Sequence, residues 1–558
     1  MTTTAQVVVI GGGITGCAIA WHLSKRGLTD VVLLERAELT AGSTWHAAGG
    51  FHTLNGASSM AALQGYTIGL YDELQSEADE ALGLHKTGAI YLAGDDAWAE
   101  FLVVEQARAL TAGVTLRDLT KAELREMAPI VDTDRVVHAL FDAADGHLDP
   151  TGTTRAFASG ARRRGVRIER HRPVTGLTRR PQGWTVETAQ GPIRTETVVI
   201  AAGLWAREVA ALAGFEVPVA PMEHQYLLTE AVPELVETPE LPTIADFLSG
   251  SYLRREGAGL LYGTYEQRPR HWSLGGTPQD FGMDLLPPDL DRIAPNLERA
   301  AERIPCLSRV GLRRIVNGPL MVSPDGNPVV GPLAPGLFVA AGVLAGFSQC
   351  AGIGLALANW IADGEPGMDI WAMDIARFGR WTTSDVVRAR TREVYERRYR
   401  LTKPNEHLDA TRPLRTTPLY DRFTSAGAVW GAQAGWEYPT HFAPSGTPSE
   451  HPSWTRSDAF PFVREECLAV RDAAGLFETS AYAKFLVEGE GALPWLQGMS
   501  CNALPARNLR VGLMPLVSPS GRLAGDLTLT RLDDDRAILI GSPSAEALYE
   551  RMLSAAPE

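Results

Sequence analysis

The sequence predicts an α/β fold of several domains, and three observations predict it. Residues 6–36, QVVVIGGGITGCAIAWHLSKRGLTDVVLLER, read as strand, glycine turn, helix and strand. Two later stretches, 195–210 and 336–366, again run from a buried strand into a turn of small residues. From residue 371 the α/β rhythm is lost, and a basic helical stretch at 384–400 gives way to a connector containing proline and threonine. With 558 residues, 45% apolar and 21% charged, the chain has room for three to four domain-sized units with ordinary cores.

The first element is a Rossmann-type unit. The β-branched run Val7–Ile10 reads as a buried parallel strand. Gly11, Gly13 and Gly16 form G-x-G-x-x-G. The first permits the tight turn, the second lets a pyrophosphate approach the backbone, and the third brings helix and strand together. The helix start offers free N–H groups and a positive dipole end to phosphates. Glu35 closes the following strand, where an acid grips a ribose hydroxyl. This unit serves NAD and FAD alike. The stretch 195–210, TETVVIAAGLWAREVA, tilts the choice toward FAD, because the turn Ala201-Ala202-Gly203, with Trp205 beyond it, lets backbone come close to a flat ring. In 336–366 a strand leads through a glycine loop, with Gly352 and Gly354 expected to precede the helix LALANWIADG, whose N-terminus would stabilise negative charge on a reduced ring.

The net charge of −14 is spread through the chain, which argues against a nucleic-acid or anionic-membrane surface. Five scattered cysteines without a CxxC pair offer neither a metal site nor a disulfide framework. No apolar run approaches the ~18 residues of a membrane span. The N-terminus MTTTAQVVVI runs straight into a strand with no signal-peptide pattern, so a cytoplasmic location is the expectation.

The stretch AGSTWHAAGG, residues 41–50, sets His46 among small residues that let the chain press against a flat ring. Read alone, His46 is a hydrogen-bonded loop histidine. Its surroundings carry a resemblance, however. GSTWHAAG is similar to the corresponding stretch of the dimethylglycine and sarcosine dehydrogenase family, within the D-amino-acid-oxidase-type flavoproteins. DGHLDPTG (145–152), PMEHQYLLTE (221–230), SYLRREGAGLLYGTYE (251–266), NGPLMVSPDGNPVVGP (317–332) and FGRWTT (378–383) extend the resemblance from about residue 6 to the end of the chain. The resemblance implies FAD bound covalently through His46 at the flavin 8-methyl group, which raises the flavin potential and eases hydride acceptance. It completes the cofactor-binding set as Gly11, Gly13, Gly16, Glu35, His46, Val174, Ala202, Gly203, Trp205, Gly352 and Gly354. It also implies an antiparallel-sheet substrate subdomain, mainly residues 86–140 and 221–310, within an FAD-dependent oxidoreductase domain 1–367, and a small middle domain at 368–418.

Oxidation of an N-methyl amine needs a free nitrogen lone pair, hence a proton acceptor beside it. The resemblance points to His224 and Tyr252 as catalytic residues. Arg254, two residues beyond Tyr252 and on the same strand face, is the candidate for a substrate carboxylate. His52, His85 and His147 read as structural, and ARRRG (161–165) as a solvated helix end.

Residues 419–558 resemble the start of the glycine-cleavage aminomethyltransferase family, an α+β folate-binding module. There Asp526, at the entry of SGRLAGDLTL, matches an aspartate that helps methylene transfer. Glu478 stands where many relatives have aspartate. With about 140 residues of that module in the sequence, the expectation is a truncated module, weak or absent tetrahydrofolate binding, and apolar surface left uncovered. The expected activity is demethylation of dimethylglycine or sarcosine, with electrons passed to electron-transfer flavoprotein or oxygen. Two alternatives stand beside it: an oxidase of another secondary amine acid such as 4-methylaminobutyrate, and a folate-binding protein with an inactive flavin half.

Overall fold

The computed structural model describes residues 3–238, 240–444 and 452–554. The chain divides into two compact units: Met1–Ile375 with Val387–Leu401, and Ala376–Val386 with Thr402–Glu558.

The first unit holds two eight-stranded sheets. In one, Thr3–Ile10 lies parallel between Ile193–Ile200 and Val31–Leu34, with Leu337–Ala341 and Arg167–Glu169 continuing the parallel order outward. Val7, Val9 and Leu33 are fully buried, as the β-branched run requires of a strand covered on both faces. Helix Ile14–Lys25 is buried on nearly every side, between helices Pro150–Arg163 and Gly346–Asp363. The Asp149 carboxylate caps the first of these flanking helices, and Pro150 supplies the fixed φ of its first turn. A Cβ at Gly160 would stand 2.8 Å from the Trp21 indole, so that glycine sets how closely the two helices approach.

The helix expected after Gly354 begins eight residues earlier, at Gly346. Gly352 and Gly354 therefore lie inside it. A Cβ at Gly352 would meet Leu63 Cγ at 2.3 Å, and one at Gly354 would meet His22 Nδ1 at 2.6 Å. Both glycines weaken the helix locally, and close packing on helices Ser58–Glu77 and Ile14–Lys25 offsets the loss.

The second sheet runs, in order, Leu312–Val322, Ala220–Thr229, Gly259–Thr264, Ser251–Glu256, Thr243–Asp246, Ala89–Ala93, His138–Asp142 and Arg117–Asp118. Every pairing is antiparallel except Thr243–Asp246 with Ala89–Ala93. One face buries Ile90, Leu227, Ile244, Leu253 and Tyr262 with helix Leu290–Ala301. Nearby, the Arg303 guanidinium bridges Asp246, with Nε to Oδ1 and Nη2 to Oδ2 both 2.9 Å and both side chains buried. The other face carries the site.

In the second unit a four-stranded antiparallel sheet, Ala483–Glu488, Arg536–Gly541, Leu523–Arg531 and Arg510–Val517, packs Met514, Leu516, Leu527, Leu529 and Leu539 against helix Ala492–Met499 and Tyr549. Leu486, Val511 and Leu513 point away from that core and are exposed. Among the described residues no helix is long and apolar enough to cross a membrane.

Candidate functional site

A cavity of about 510 Å³ opens where the parallel strands end. Backbone forms much of its wall: Gly11–Thr15, Ala201–Trp205 and Ala340–Val343, with Glu35, Arg172, Val174 and the loop Ala41–Thr44. Three glycine positions show why no side chain fits there. A Cβ at Gly11 would stand 2.3 Å from Ala201 O, and φ there is 118°. At Gly16 it would stand 2.0 Å from Gly11 O, so the helix could not seat on the turn. At Gly12 it would meet Leu39 at 2.6 Å. Gly13 at the N-cap of helix Ile14–Lys25 has no side chain, Thr44 Oγ1 accepts the Ile14 N–H at 3.2 Å, and no acid sits in the first turn, so the positive end of the helix dipole faces the cavity.

Glu35 accepts the Gly12 N–H at 2.7 Å and the Ala37 N–H at 2.8 Å. Burial raises its pKa, and those backbone donors pull it back. It braces the glycine turn and lines the cavity at once. Trp205 donates its indole N–H to Pro278 O at 3.1 Å and stacks under the Arg36 guanidinium. Arg36, Trp205 and Arg172 thus enclose the chamber with flat or cationic groups suited to a charged nucleotide. Gly342 and Val343, rather than Gly352 and Gly354, bring the last strand's turn to the cavity wall.

The His46 loop is tied down at several points. Ser43 Oγ donates to Pro319 O at 2.7 Å, Met283 N–H to Ala41 O at 2.9 Å, and Arg254 Nε–H to Ala48 O at 2.9 Å. The His46 imidazole lies flat on strand Leu312–Val322 at Gly318, where a Cβ would stand 2.3 Å from its Cε1. Trp45 packs edge-on against it. Burial lowers the His46 pKa to about 4, so the ring is neutral, and its buried Nε2 has no hydrogen-bond partner among the described residues. A buried nitrogen left unpaired calls for an explanation.

Gly318 pairs with His224 across the sheet, so His46 and His224 share one face. Tyr252 joins them from two strands away. Its ring crosses Gly263, where a Cβ would overlap Cζ at 2.2 Å, and its hydroxyl reaches His224 Nε2 at 2.9 Å. His224 Nδ1 is 2.7 Å from the Tyr395 hydroxyl. Burial lowers the His224 pKa to about 3, with His46, Arg292 and Arg398 adding to the shift, and burial raises that of Tyr252. Both groups are therefore neutral across the physiological range.

The structure thus brings His46, His224 and Tyr252 together, and places Gly11, Gly13, Glu35, Val174, Ala202, Gly203 and Trp205 on one cavity. Gly16 stands behind the turn. Arg254 is spent elsewhere: Nε holds Ala48 O, while Nη1 holds Arg255 O at 2.9 Å and Glu256 at 2.6 Å. These bonds use Nε and Nη1 and fix the strand end to the His46 loop. Asp526 lies in the second unit, inside strand Leu523–Arg531 opposite Pro515, exposed on the same outer face as Val511 and Leu513. The sequence reading did not single out Tyr395, Gly263 or Gly318. A lone glycine inside an apolar strand pattern signals close approach of another group, and Gly263 in LLYGTYE carries that signal.

The family described as FAD dependent oxidoreductase matches residues 6–360, its central domain 363–417, and the GCVT N-terminal domain 419–557. The chain is 35% identical to dimethylglycine dehydrogenase, mitochondrial, of Rattus norvegicus over 553 residues, covering 97% of this chain and 64% of that protein. It is 31% identical to sarcosine dehydrogenase, mitochondrial, of Mus musculus over 575 residues, covering 95% and 61%. The chain therefore spans somewhat less than two thirds of the length of these relatives. Among solved structures, L-proline dehydrogenase from P. horikoshii superposes with a TM-score of 0.60 at 26% identity, covering 67% of this chain and 97% of that one. The glycine turn, the cavity it lines and the match over most of the first unit agree: the chain belongs to the FAD dependent oxidoreductase family.

Proposed function

We propose that the chain oxidises the N-methyl group of an N-methylated glycine, dimethylglycine or sarcosine, and that its FAD is bonded to His46. The observation that carries the reading is the neutral His224–Tyr252 pair, set beside a neutral His46 whose Nε2 has no partner. The residues present fit FAD: a glycine turn that closes only without Cβ atoms, a helix N-terminus with no acid in its first turn for the pyrophosphate, Glu35 beside the turn, and a buried nitrogen without a hydrogen-bond partner among the described residues. FAD, when bound, supplies the two-electron acceptor for the hydride leaving the N-methyl carbon.

The protein's part is to make that hydride available. An ammonium has no lone pair to push, so its proton must leave first. In this reading Tyr252 accepts that proton, backed by His224. In the same reading the amine sits between the His46 ring, seated on Gly318, and the Tyr252 hydroxyl, whose ring crosses Gly263. Water then hydrolyses the resulting iminium to formaldehyde and the demethylated amine, or tetrahydrofolate captures the one-carbon unit. The match of residues 419–557 to the GCVT N-terminal domain supports the second route.

Purified protein precipitated with trichloroacetic acid should keep its yellow colour in the pellet. A pellet that turns colourless, with no flavin mass on the peptide containing His46, refutes the covalent bond. Anaerobic bleaching near 450 nm, a property of flavins in general, should follow addition of dimethylglycine or sarcosine. Bleaching by 4-methylaminobutyrate alone would overturn the substrate assignment. The same reaction with oxygen as sole acceptor separates an oxidase from a dehydrogenase that needs electron-transfer flavoprotein.

A further inference from the structure

Behind His224, away from the cavity, lies a chain of polar groups. The Tyr395 hydroxyl, from helix Ser384–Glu396, donates to Glu266 Oε2 at 2.9 Å. Glu266 is fully buried, with Oε1 2.8 Å from Arg292 Nε. Arg292 Nη1 in turn donates to Glu223 Oε2 at 2.7 Å, and Asn317 Nδ2 donates to the same oxygen at 3.1 Å. Tyr265 and Arg398 also face this cluster: the Tyr265 ring packs 4.8 Å from that of His224, and the Arg398 guanidinium stacks over Tyr265.

The directions of these bonds follow from one fact. An ionised carboxylate only accepts. Tyr395 therefore spends its single hydroxyl hydrogen on Glu266, and its oxygen is left to accept from His224 Nδ1. A neutral imidazole has one N–H, so His224 carries it on Nδ1 and leaves Nε2 bare. Nε2 accepts the Tyr252 O–H. The Tyr252 oxygen then keeps lone pairs for an incoming donor, such as an ammonium N–H.

Resting on the proposed reading of His224 and Tyr252, we infer that Glu266 and Tyr395 are positioning residues that lock His224 in the Nδ1–H tautomer and complete a proton path from the substrate amine to a buried carboxylate. The step balances. The ammonium N–H bond breaks and an O–H bond forms on Tyr252. The former Tyr252 hydrogen passes to His224 Nε2, the Nδ1 hydrogen to Tyr395, and the Tyr395 hydrogen to Glu266 Oε2. The amine has lost one proton, the carboxylate has gained one, and no electrons have moved. Arg292 keeps Glu223 as its partner, so a neutral Glu266 strands no charge. Burial raises the Glu266 pKa, consistent with its receiving the proton.

The test uses the full-length holoprotein labelled with ¹⁵N-imidazole histidine, with the His224→Asn variant assigning the signal. The wild type should show His224 protonated on Nδ1 before any substrate is added. In Glu266→Gln the amide donates to the Tyr395 oxygen, the bonds reverse, and His224 should switch to the Nε2–H form. In Tyr395→Phe, which keeps the ring packing, the Nδ1 preference should be lost. In both variants the rate of anaerobic flavin bleaching by dimethylglycine should fall by about 10². The pH at which that rate rises should move up by about one unit, because only amine already deprotonated in solution reacts. An Nε2–H tautomer in the wild type, or variants that keep the wild-type tautomer and pH profile, overturns the inference. If Glu266→Gln does not fold, Tyr395→Phe decides alone. If dimethylglycine leaves the wild type yellow, the substrate reading fails, while the tautomer measurement still judges the network.

Discussion

Replacing Gly318 with alanine tests the seat of His46 directly. The new methyl carbon would lie 2.3 Å from Cε1, 2.5 Å from Nδ1 and 2.7 Å from Nε2 of that ring, against 3.4–4 Å for ordinary contact. The ring must therefore retreat by about 1 Å, or the strand must bow. Neither is free. Gly318 is fixed in register against His224, Trp45 stands at the imidazole's edge, and Ser43 ties the loop to Pro319. Overpacking of this kind costs about 1–3 kcal/mol, a 5- to 150-fold loss in the folded-to-unfolded ratio. If His46 bonds the flavin as proposed, a displacement of about 1 Å at that reacting nitrogen slows the bonding by about 10². Urea unfolding should show the first effect, and the time course of pigment becoming acid-stable should show the second. Gly275→Ala is the control, since nothing lies within 4 Å of a Cβ there. If Gly318→Ala matches the wild type in both urea midpoint and acid-stable flavin, the ring does not rest on this strand and the site as described is wrong.

Three further outcomes follow from the first unit. Arg303→Met leaves Asp246 a buried carboxylate without its cation, and the urea midpoint should fall by the equivalent of about 3–5 kcal/mol. Gly65→Ala adds a methyl inside helix Ser58–Glu77 where nothing lies within 4 Å, so the melting temperature should rise with a gain of about 0.5–1 kcal/mol. His22 concerns pH. Burial lowers its folded pKa to about 4, while the unfolded chain binds the proton near 6.5. The unfolded state thus binds more protons between those values, so stability is lost as pH falls from about 6.5 toward 4, at up to about 1.4 kcal/mol per unit. His22→Gln should flatten the plot of urea midpoint against pH by that contribution, and an unchanged slope would show that His22 does not stay neutral in the fold.

What could be read in advance was local. G-x-G-x-x-G states its own geometry, because each glycine answers to a backbone atom within a few residues or at the adjoining strand end. His46 announced itself by the small residues around it, and His224 and Tyr252 by phrases of the strands that carry them. Three features were not legible for physical reasons. The helix at Gly346 was placed late, because glycines that serve helix–helix contact at Leu63 and His22 look in sequence like a loop. Arg254 shares the strand face expected of it, yet its bonds go to a loop carbonyl some 200 residues upstream and to Glu256, which no spacing reveals. Tyr395 comes from a basic helical stretch, RARTREVYERRY, whose pattern speaks of a solvated helix rather than of a hydroxyl 2.7 Å from His224.

The protonation states of the site bear on what it can oxidise. Two imidazoles on one sheet face are both held neutral by burial, and the buried Glu266 carboxylate is joined to His224 through the Tyr395 hydroxyl. A permanent cation gains little here beyond the faces of Tyr252 and Tyr265, and it brings no proton for Tyr252 to take. A secondary or tertiary ammonium does bring one, and giving it up turns an unfavourable buried charge into a neutral amine with a lone pair aligned for hydride loss. Deprotonation and the drop in charge favour each other, so the same desolvation that lowers the histidine pKa values also drives the amine toward its reactive form. A fully methylated ammonium has neither proton nor lone pair, and for it the site is a binding place without chemistry. In the proposed reading, a preference for N-methyl amines that still carry a proton follows from burial and hydrogen-bond direction, before any contact with the substrate's carboxylate is considered.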